Sequence, residues 1–343
     1  MLSTVLSAYG INAYECIIQS FGTGLINNTW DIKNQNEHYI LQRINNKIFK
    51  QPEDIAENIN SIAEYLSANY PHYLFTAPVK TIAAKGIIKN EDGYFRLFPF
   101  VQHSHTIDVV TDPGQALEAA KQFGAFTKKL SGFKAADLKI TLPDFHNLTL
   151  RYRQFEKALA EGNKERIAAA AAEITLLINN KDIVDAFEKI KQDADFKIRV
   201  THHDTKISNV LFDKNDTGLC VIDLDTVMPG YFISDVGDMM RTYLSPVSEE
   251  EKDFSKIEIR KEYLDAIISG YLSEMGNELT EKEKRSFIYA GKFMIYMQAL
   301  RFLTDHLNND VYYGAKYDGH NFIRAKNQLV LLEKLIEKEK LSA

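Results

Sequence analysis

The hydrophobic period of the chain changes once, near Val101, and that change limits what the chain can fold into. Before it, apolar and polar residues alternate in FGTGLINNTWDI and HYILQRIN, with Gly and Asn clusters between them, which predicts a hairpin ending in a well-buried strand. PVKTIAA and YFRLFPFV predict two more strands around the turn KNEDGY, where Asp92-Gly93 is a hairpin signal. One helix interrupts them. Pro52 suits a first helical turn, Glu53 and Asp54 suit the positive end of its dipole, and Ile55, Ile59, Ile62 and Leu66 mark one apolar face. After Val101 the pattern is helical: QALEAAKQFGAFTKKLSGF, LRYRQFEKALAEG, KERIAAAAAEITLLINN, SEEEKDFSKIEIRKEYLDAIISGYL, TEKEKRSFIYAGKFMIYMQALRFLTDHL and FIRAKNQLVLLEKLIEKEK all read as amphipathic or buried helices. The expectation is an α+β, two-lobed chain. A small β-rich lobe spans 1–101, a larger and mostly helical lobe spans 102–343, and a cleft between them is the natural ligand site.

One short block breaks the helical half. It contains THHDTKISNVLFD (201–213) and VIDLDT (221–226), polar clusters set beside strand-like VLF and CVID. His202-x-Asp204 followed by Asn209 has the spacing H-x-D-x-x-x-x-N. Phosphoryl transfer needs those residue types: an aspartate to accept or orient the acceptor hydroxyl's proton, and an amide oxygen to hold a metal ion. Asp223, beyond a turn at 215–218, is the second candidate metal ligand, since Mg²⁺ favours one or two carboxylates plus phosphate oxygens. Asp225 either joins it on the metal or hydrogen-bonds neighbouring loops. Lys206 reaches the transferring phosphate as a point charge.

Composition removes several other classes. A net charge of −6 leaves no basic stripe for nucleic acid. Two cysteines, Cys16 and Cys220, form no disulfide framework or zinc pattern and suit a reducing, cytoplasmic setting. The first residues lack the features of a signal peptide, and no apolar run approaches the roughly 18 residues of a membrane span. No G-x-x-x-x-G-K-[ST] loop occurs. The stretch I-D-L-D-T-V differs from the nucleophile loop of haloacid-dehalogenase-type phosphatases, because its threonine comes one position early and it lies two-thirds along the chain. A pseudokinase would usually have lost one of Asp204, Asn209 and Asp223, and all three are present.

The run HHDTKISNVLFD resembles the catalytic loop of the aminoglycoside phosphotransferase and choline kinase superfamily, a group with a protein-kinase-like fold. The resemblance implies that Asp204 is the catalytic aspartate and that Asn209 and Asp223 hold the metal. Asp223 stands where protein kinases carry the Asp of D-F-G, although Leu224-Asp225 follow it here. Together with VIDLDTVMPG, DVGDMMR (235–241), ALRFLTDHLNNDVYY (299–313), GTGLINNTW and YILQRIN, the run is most similar to N-acetylhexosamine 1-kinases. That implies ATP and Mg²⁺ as cofactors and the anomeric hydroxyl of a small sugar, N-acetylglucosamine or N-acetylgalactosamine, as acceptor. Other kinases of the superfamily act on choline, homoserine, a fructosamine or methylthioribose, and these remain the alternative.

On the phosphate side, Gly22-Thr23-Gly24 is a glycine turn suited to close backbone approach over a nucleotide, with Asn27 or Asn28 where a protein kinase has its third glycine. The strand that should carry the phosphate-pairing lysine has Gln42 and Arg43 instead. Strand alternation lets only one of them face the cleft, and Arg43 would take Glu57 on the following helix as its partner. On the acceptor side, Arg301 and Asp305 share a helix face at i and i+4. The resemblance implies that this region faces the sugar, with Arg301 on ring hydroxyls or the acyl group, Tyr312 or Tyr313 stacked on the ring, and PDFHNL with His146 nearby. Plainer roles suit other residues: His202 as a brace of its loop, His203 exposed or facing sugar, and Asp238 and Arg241 as buttresses.

Overall fold

A computed structural model describes residues 2–22 and 26–342. Helix α1 (Leu2–Ser7) precedes strand β1 (Ile17–Ser20), and β2 (Asn28–Lys33) and β3 (His38–Ile44) form the expected hairpin. Helix α2 (Pro52–Asn69) follows, then β4 (Ile88–Asn90) and β5 (Gly93–Pro99). The five strands make one antiparallel sheet in the order β1-β2-β3-β5-β4. Alternation sends Leu41, Phe95 and Leu97 to one face, where they bury against Val5 and Leu6 of α1. PVKTIAA is not a strand. Pro78 has no N–H to give a ladder, and the segment runs beside β5 with one bond, Val79 N–H to the Leu97 carbonyl at 2.7 Å.

The larger lobe is built from α3 (Pro113–Lys129), α4 (Leu148–Glu161), α5 (Lys164–Ala169), α6 (Ala171–Asn179), α7 (Asp182–Gln192), α8 (Phe232–Tyr243), α9 (Lys261–Met275), α10 (Glu281–Arg285), α11 (Phe287–Leu307) and α12 (His320–Ser342). Two expected helices are each split: the alanine run at Ala170, and TEKEKRSFIY at Ser286. Residues 248–260 are irregular apart from a short turn, so the helix expected from SEEEKDF begins only at Lys261. The apolar face of α2 joins this lobe's core through Ile55, Ile59, Ile62 and Leu66. Its Asn58 is buried and bonds the Lys139 and Val227 carbonyls, which pins α2 beside the segment that carries Asp223 and Asp225. Short strands β6 (Arg199–Thr201), β7 (Val210–Phe212), β8 (Gly218–Val221) and β9 (Met228–Gly230) hold the polar block between the lobes, as pairs β6-β9 and β7-β8. Helix α8 can lie against α11 because residue 237 is glycine: a Cβ there would come within 2.3 Å of the Ala290 carbonyl oxygen. Among the described residues no helix is long and apolar enough to cross a membrane.

Candidate active site

Strand β6 delivers the chain to a loop that no ladder supports. His203 takes a left-handed backbone, φ 66°, a conformation costing of order 1 kcal/mol or more that the surroundings must impose. Helix α8 imposes it. Asp235 accepts the N–H groups of His202 at 3.0 Å and His203 at 2.7 Å, and Asp238 accepts that of Thr205 at 2.8 Å. The Tyr243 hydroxyl donates to the Thr205 carbonyl at 2.6 Å. Burial pushes the Asp235 carboxyl up to about 7 against the pull of its two N–H donors. Asp238 is also held by Arg241, at 3.0 Å. His202 braces the loop from within, its Nε2 lying 2.9 Å from the Ile222 carbonyl and its ring edge-on to Phe123. Of the two places expected for His203, exposure is corrected: it is 4% exposed and sits against Thr201, and burial holds its imidazole down to about 4.

This scaffold presents four polar side chains at one spot. Lys206 Nζ donates to Asp204 Oδ2 at 3.0 Å, and Asn209 Nδ2 donates to the same oxygen at 3.0 Å and to the Asp204 carbonyl at 2.8 Å. Burial pushes the Asp204 carboxyl up, but the charge and hydrogen bond of Lys206, with Asn209, outweigh it and hold the group below its ordinary value. Lys206 Nζ is also 4.0 Å from Asp223 Oδ2. Asp223 has a left-handed backbone, φ 60°, at the head of the short turn Leu224–Thr226. Burial, then Asp225, then Asp204, push its carboxyl up to about 7. A carboxylate so crowded by like charge is short of a cation. With the Asn209 NH₂ committed to Asp204, its amide oxygen is the group left over for a metal. Asn209 and Asp223 therefore fit a divalent cation, although no group of three His, Cys, Asp or Glu residues is gathered for one among the described residues.

Across the cleft the structure settles which strand residue faces the site. Gln42 and Arg96 are directly opposite in the β3–β5 ladder, and Gln42 Oε1 accepts from Arg96 Nε at 3.0 Å and Nη2 at 2.8 Å. Arg43, one residue on, projects from the other face and lies against Gly93. Its expected pairing with Glu57 is corrected: Glu57 is more than half exposed and sits 3.4 Å from Lys139. The buried cation is Arg96, 1% exposed, with Nη2 2.5 Å from Asp225 Oδ1. Asn27 Nδ2 donates to Asp225 Oδ2 at 2.8 Å, and Asn27 Oδ1 accepts the Asn45 N–H. Asp225 therefore ties the lobes together through one hydrogen bond and one ion pair, while its Oδ1 has no hydrogen-bond partner among the described residues. Gly22 is exposed with φ 77°; Gly24 lies outside the described residues.

The acceptor-side residues divide. Phe145 and His146 stack at 4.4 Å, and His146 lies 5.2 Å from the His203 ring, which places this pair beside the catalytic loop. The Arg301 guanidinium sits 5.9 Å from the Phe145 ring and 5.5 Å from the Tyr313 ring. Burial, with the charges of His203 and Arg301, holds His146 well below its ordinary value. Asp305 does not pair with Arg301. It is buried and accepts the N–H groups of Tyr312 at 2.7 Å and Tyr313 at 2.9 Å, so it shapes the loop that carries both tyrosines. Tyr313 packs on Phe302, whereas Tyr312 is 72% exposed. Sequence reasoning missed Arg96, Asp235 and Tyr243. The one available signal for Arg96 was a charged residue in the middle of the apolar strand YFRLFPF.

The profile of the phosphotransferase enzyme family (aminoglycoside phosphotransferase type) matches residues 17–275. Among solved structures, a microcompartment-associated aminopropanol kinase is 15% identical, with 98% of this chain and 97% of that one covered and a TM-score of 0.68. A spectinomycin phosphotransferase solved with ADP and spectinomycin is 14% identical, with 99% and 98% covered and a TM-score of 0.61. Choline kinase from Cryptosporidium parvum Iowa II is 15% identical, with 98% of each chain covered and a TM-score of 0.58. The fold, a small antiparallel sheet against a larger helical lobe, is that of a kinase-like phosphotransferase acting on small molecules. The chain belongs to the phosphotransferase enzyme family, within the aminoglycoside phosphotransferase and choline kinase superfamily.

Proposed function

We propose that the chain transfers the γ-phosphate of ATP to the anomeric hydroxyl of N-acetylhexosamines, giving the sugar 1-phosphate and ADP. The observation that carries the reading is the convergence of Asp204, Lys206, Asn209 and Asp223 at the mouth of the cleft. Lys206 and Asn209 both bind Asp204 Oδ2, which leaves Oδ1 to take the hydrogen bond of the acceptor hydroxyl. As the hydroxyl oxygen bonds to phosphorus and the bond to the ADP oxygen breaks, the hydroxyl proton passes to Asp204. Lys206 offsets charge on the transferring group, and the work is chiefly positioning and electrostatics. Asn209 and Asp223 would hold Mg²⁺, which when bound neutralises phosphate charge. A nucleotide donor is further supported by neighbours solved with ADP and with AMP.

The sugar reading rests on the similar stretches named above and on the character of the acceptor wall. Arg301, Phe145, His146 and Tyr313 form an aromatic wall with a guanidinium. Burial, then the charge of Arg301, hold the Arg151 guanidinium below its ordinary value. The guanidinium suits ring hydroxyls and an acyl oxygen, whereas the aromatic faces suit a sugar ring and a quaternary amine alike, so the acceptor panel decides between them. The test is ADP release from Mg·ATP over both N-acetylhexosamines, the free hexoses, choline, homoserine and a fructosamine. The expected result is turnover with an N-acetylhexosamine that disappears for its 1-O-methyl glycoside. Turnover confined to choline or homoserine would keep the phosphotransferase and discard the sugar.

A further inference from the structure

Protein kinases place their phosphate-pairing cation on the third strand of the small lobe. Here that strand offers Gln42 to the cleft and turns Arg43 away. A nucleotide triphosphate nevertheless needs a fixed positive charge opposite the metal-binding segment, because neither Lys206 nor a metal ion belongs to the sheet. Resting on the kinase reading above, we infer that Arg96 on β5 supplies that charge, and that Gln42 is the residue that aims it.

Three observations carry this. First, Gln42 and Arg96 are an opposed pair in the β3–β5 ladder, so a side chain from either strand reaches the same point in the cleft. Second, the guanidinium is held at one edge only: Gln42 Oε1 takes Nε and Nη2, and Nη2 also faces Asp225 Oδ1 at 2.5 Å. Third, Nη1 is buried and has no hydrogen-bond partner among the described residues. An orphaned, buried guanidinium donor calls for an oxygen acceptor, and a phosphate oxygen is the ligand that such a planar, permanently charged donor fits. Asp225 leads back along the chain to Asp223, so an anion bonded to Nη1 stands beside the residues proposed to hold the metal. The cation of the sheet has thus moved one strand over, with the glutamine at its former position kept as its support.

The test compares adenosine with Mg·ADP, because only the second carries phosphate. Binding of both is measured by calorimetry to the wild type, Arg96→Gln, Arg96→Gln/Asp225→Asn, and Gln42→Lys/Arg96→Gln. The wild type should prefer Mg·ADP. Arg96→Gln should lose ~10- to 100-fold in Mg·ADP affinity while adenosine stays within about twofold. The double variant with Asp225→Asn leaves no unpaired buried acid and should show the same selective loss if Arg96→Gln alone does not fold. Gln42→Lys/Arg96→Gln returns a cation to the cleft from the opposite strand and should regain most of the preference for Mg·ADP. A folded Arg96 variant that keeps the wild-type ratio, or that loses adenosine and Mg·ADP equally, overturns the assignment and makes Arg96 a tie between lobes only. A wild type indifferent to phosphate would sink the kinase reading together with this one, which separates the two failures.

Discussion

The two walls of the cleft are built in opposite ways. The catalytic wall is a short loop in one stretch of chain, hung from α8 by Asp235, Asp238 and Tyr243 and braced from within by His202. The phosphate wall joins groups distant in sequence: Asn27 and Asp225 are 198 positions apart, and Gln42 and Arg96 are 54 apart. The first wall is rigid because its partners are buried backbone groups with fixed geometry. The second wall joins the two lobes through side chains that are just as buried, Arg96 at 1% and Asp225 at 2% exposed. The group proposed to handle the acceptor proton is thus held within one stretch of chain, and the groups proposed to meet the phosphates are held by contacts between lobes.

That contrast also explains what the sequence disclosed. The clustering of Asp204, Lys206, Asn209 and Asp223 was legible because their spacing is local. The lobes were legible because the apolar period changes from strand to helix. Arg96 was not, since its role follows from the register of two strands, and register is a tertiary fact. The Arg43–Glu57 pairing failed for the same reason: strand parity turns Arg43 to the far face. His203 misled because a polar side chain in a loop usually points to solvent, whereas here a left-handed backbone tucks it under Gly230, where a Cβ would come within 2.4 Å of the ring. Asp305 looked like half of an ion pair at helical spacing, but unpaired N–H groups of the following turn claimed it. Helix period shows which residues share a face, and it is silent on nearby backbone donors.

The comparison between the walls can be broken by single substitutions. The largest effect is expected at Asp235. Asp235→Ala strands two buried N–H groups at about 1–3 kcal/mol each, so roughly 3 kcal/mol of stability and about 5 °C of Tm should go, with turnover falling alongside. A variant with unchanged Tm and unchanged kcat would show that the loop does not hang from α8. The smallest effect is expected at Glu57, which stands outside both walls. Its pair with Lys139 is exposed on both sides, so Glu57→Ala should cost less than about 0.5 kcal/mol and leave nucleotide affinity within about twofold. A tenfold loss of Mg·ADP affinity in that variant would restore Glu57 to the phosphate wall.

The most direct measurement is steady-state turnover of Asp204→Asn with Mg·ATP and an N-acetylhexosamine, alongside its Tm and Mg·ADP affinity. The substitution keeps the shape of the side chain, and with it contacts for Lys206 and Asn209, but removes the proton acceptor. The expected result is a kcat at least ~1,000-fold lower, with Tm and Mg·ADP affinity close to wild type. Near-normal turnover in a folded Asp204→Asn protein would contradict it.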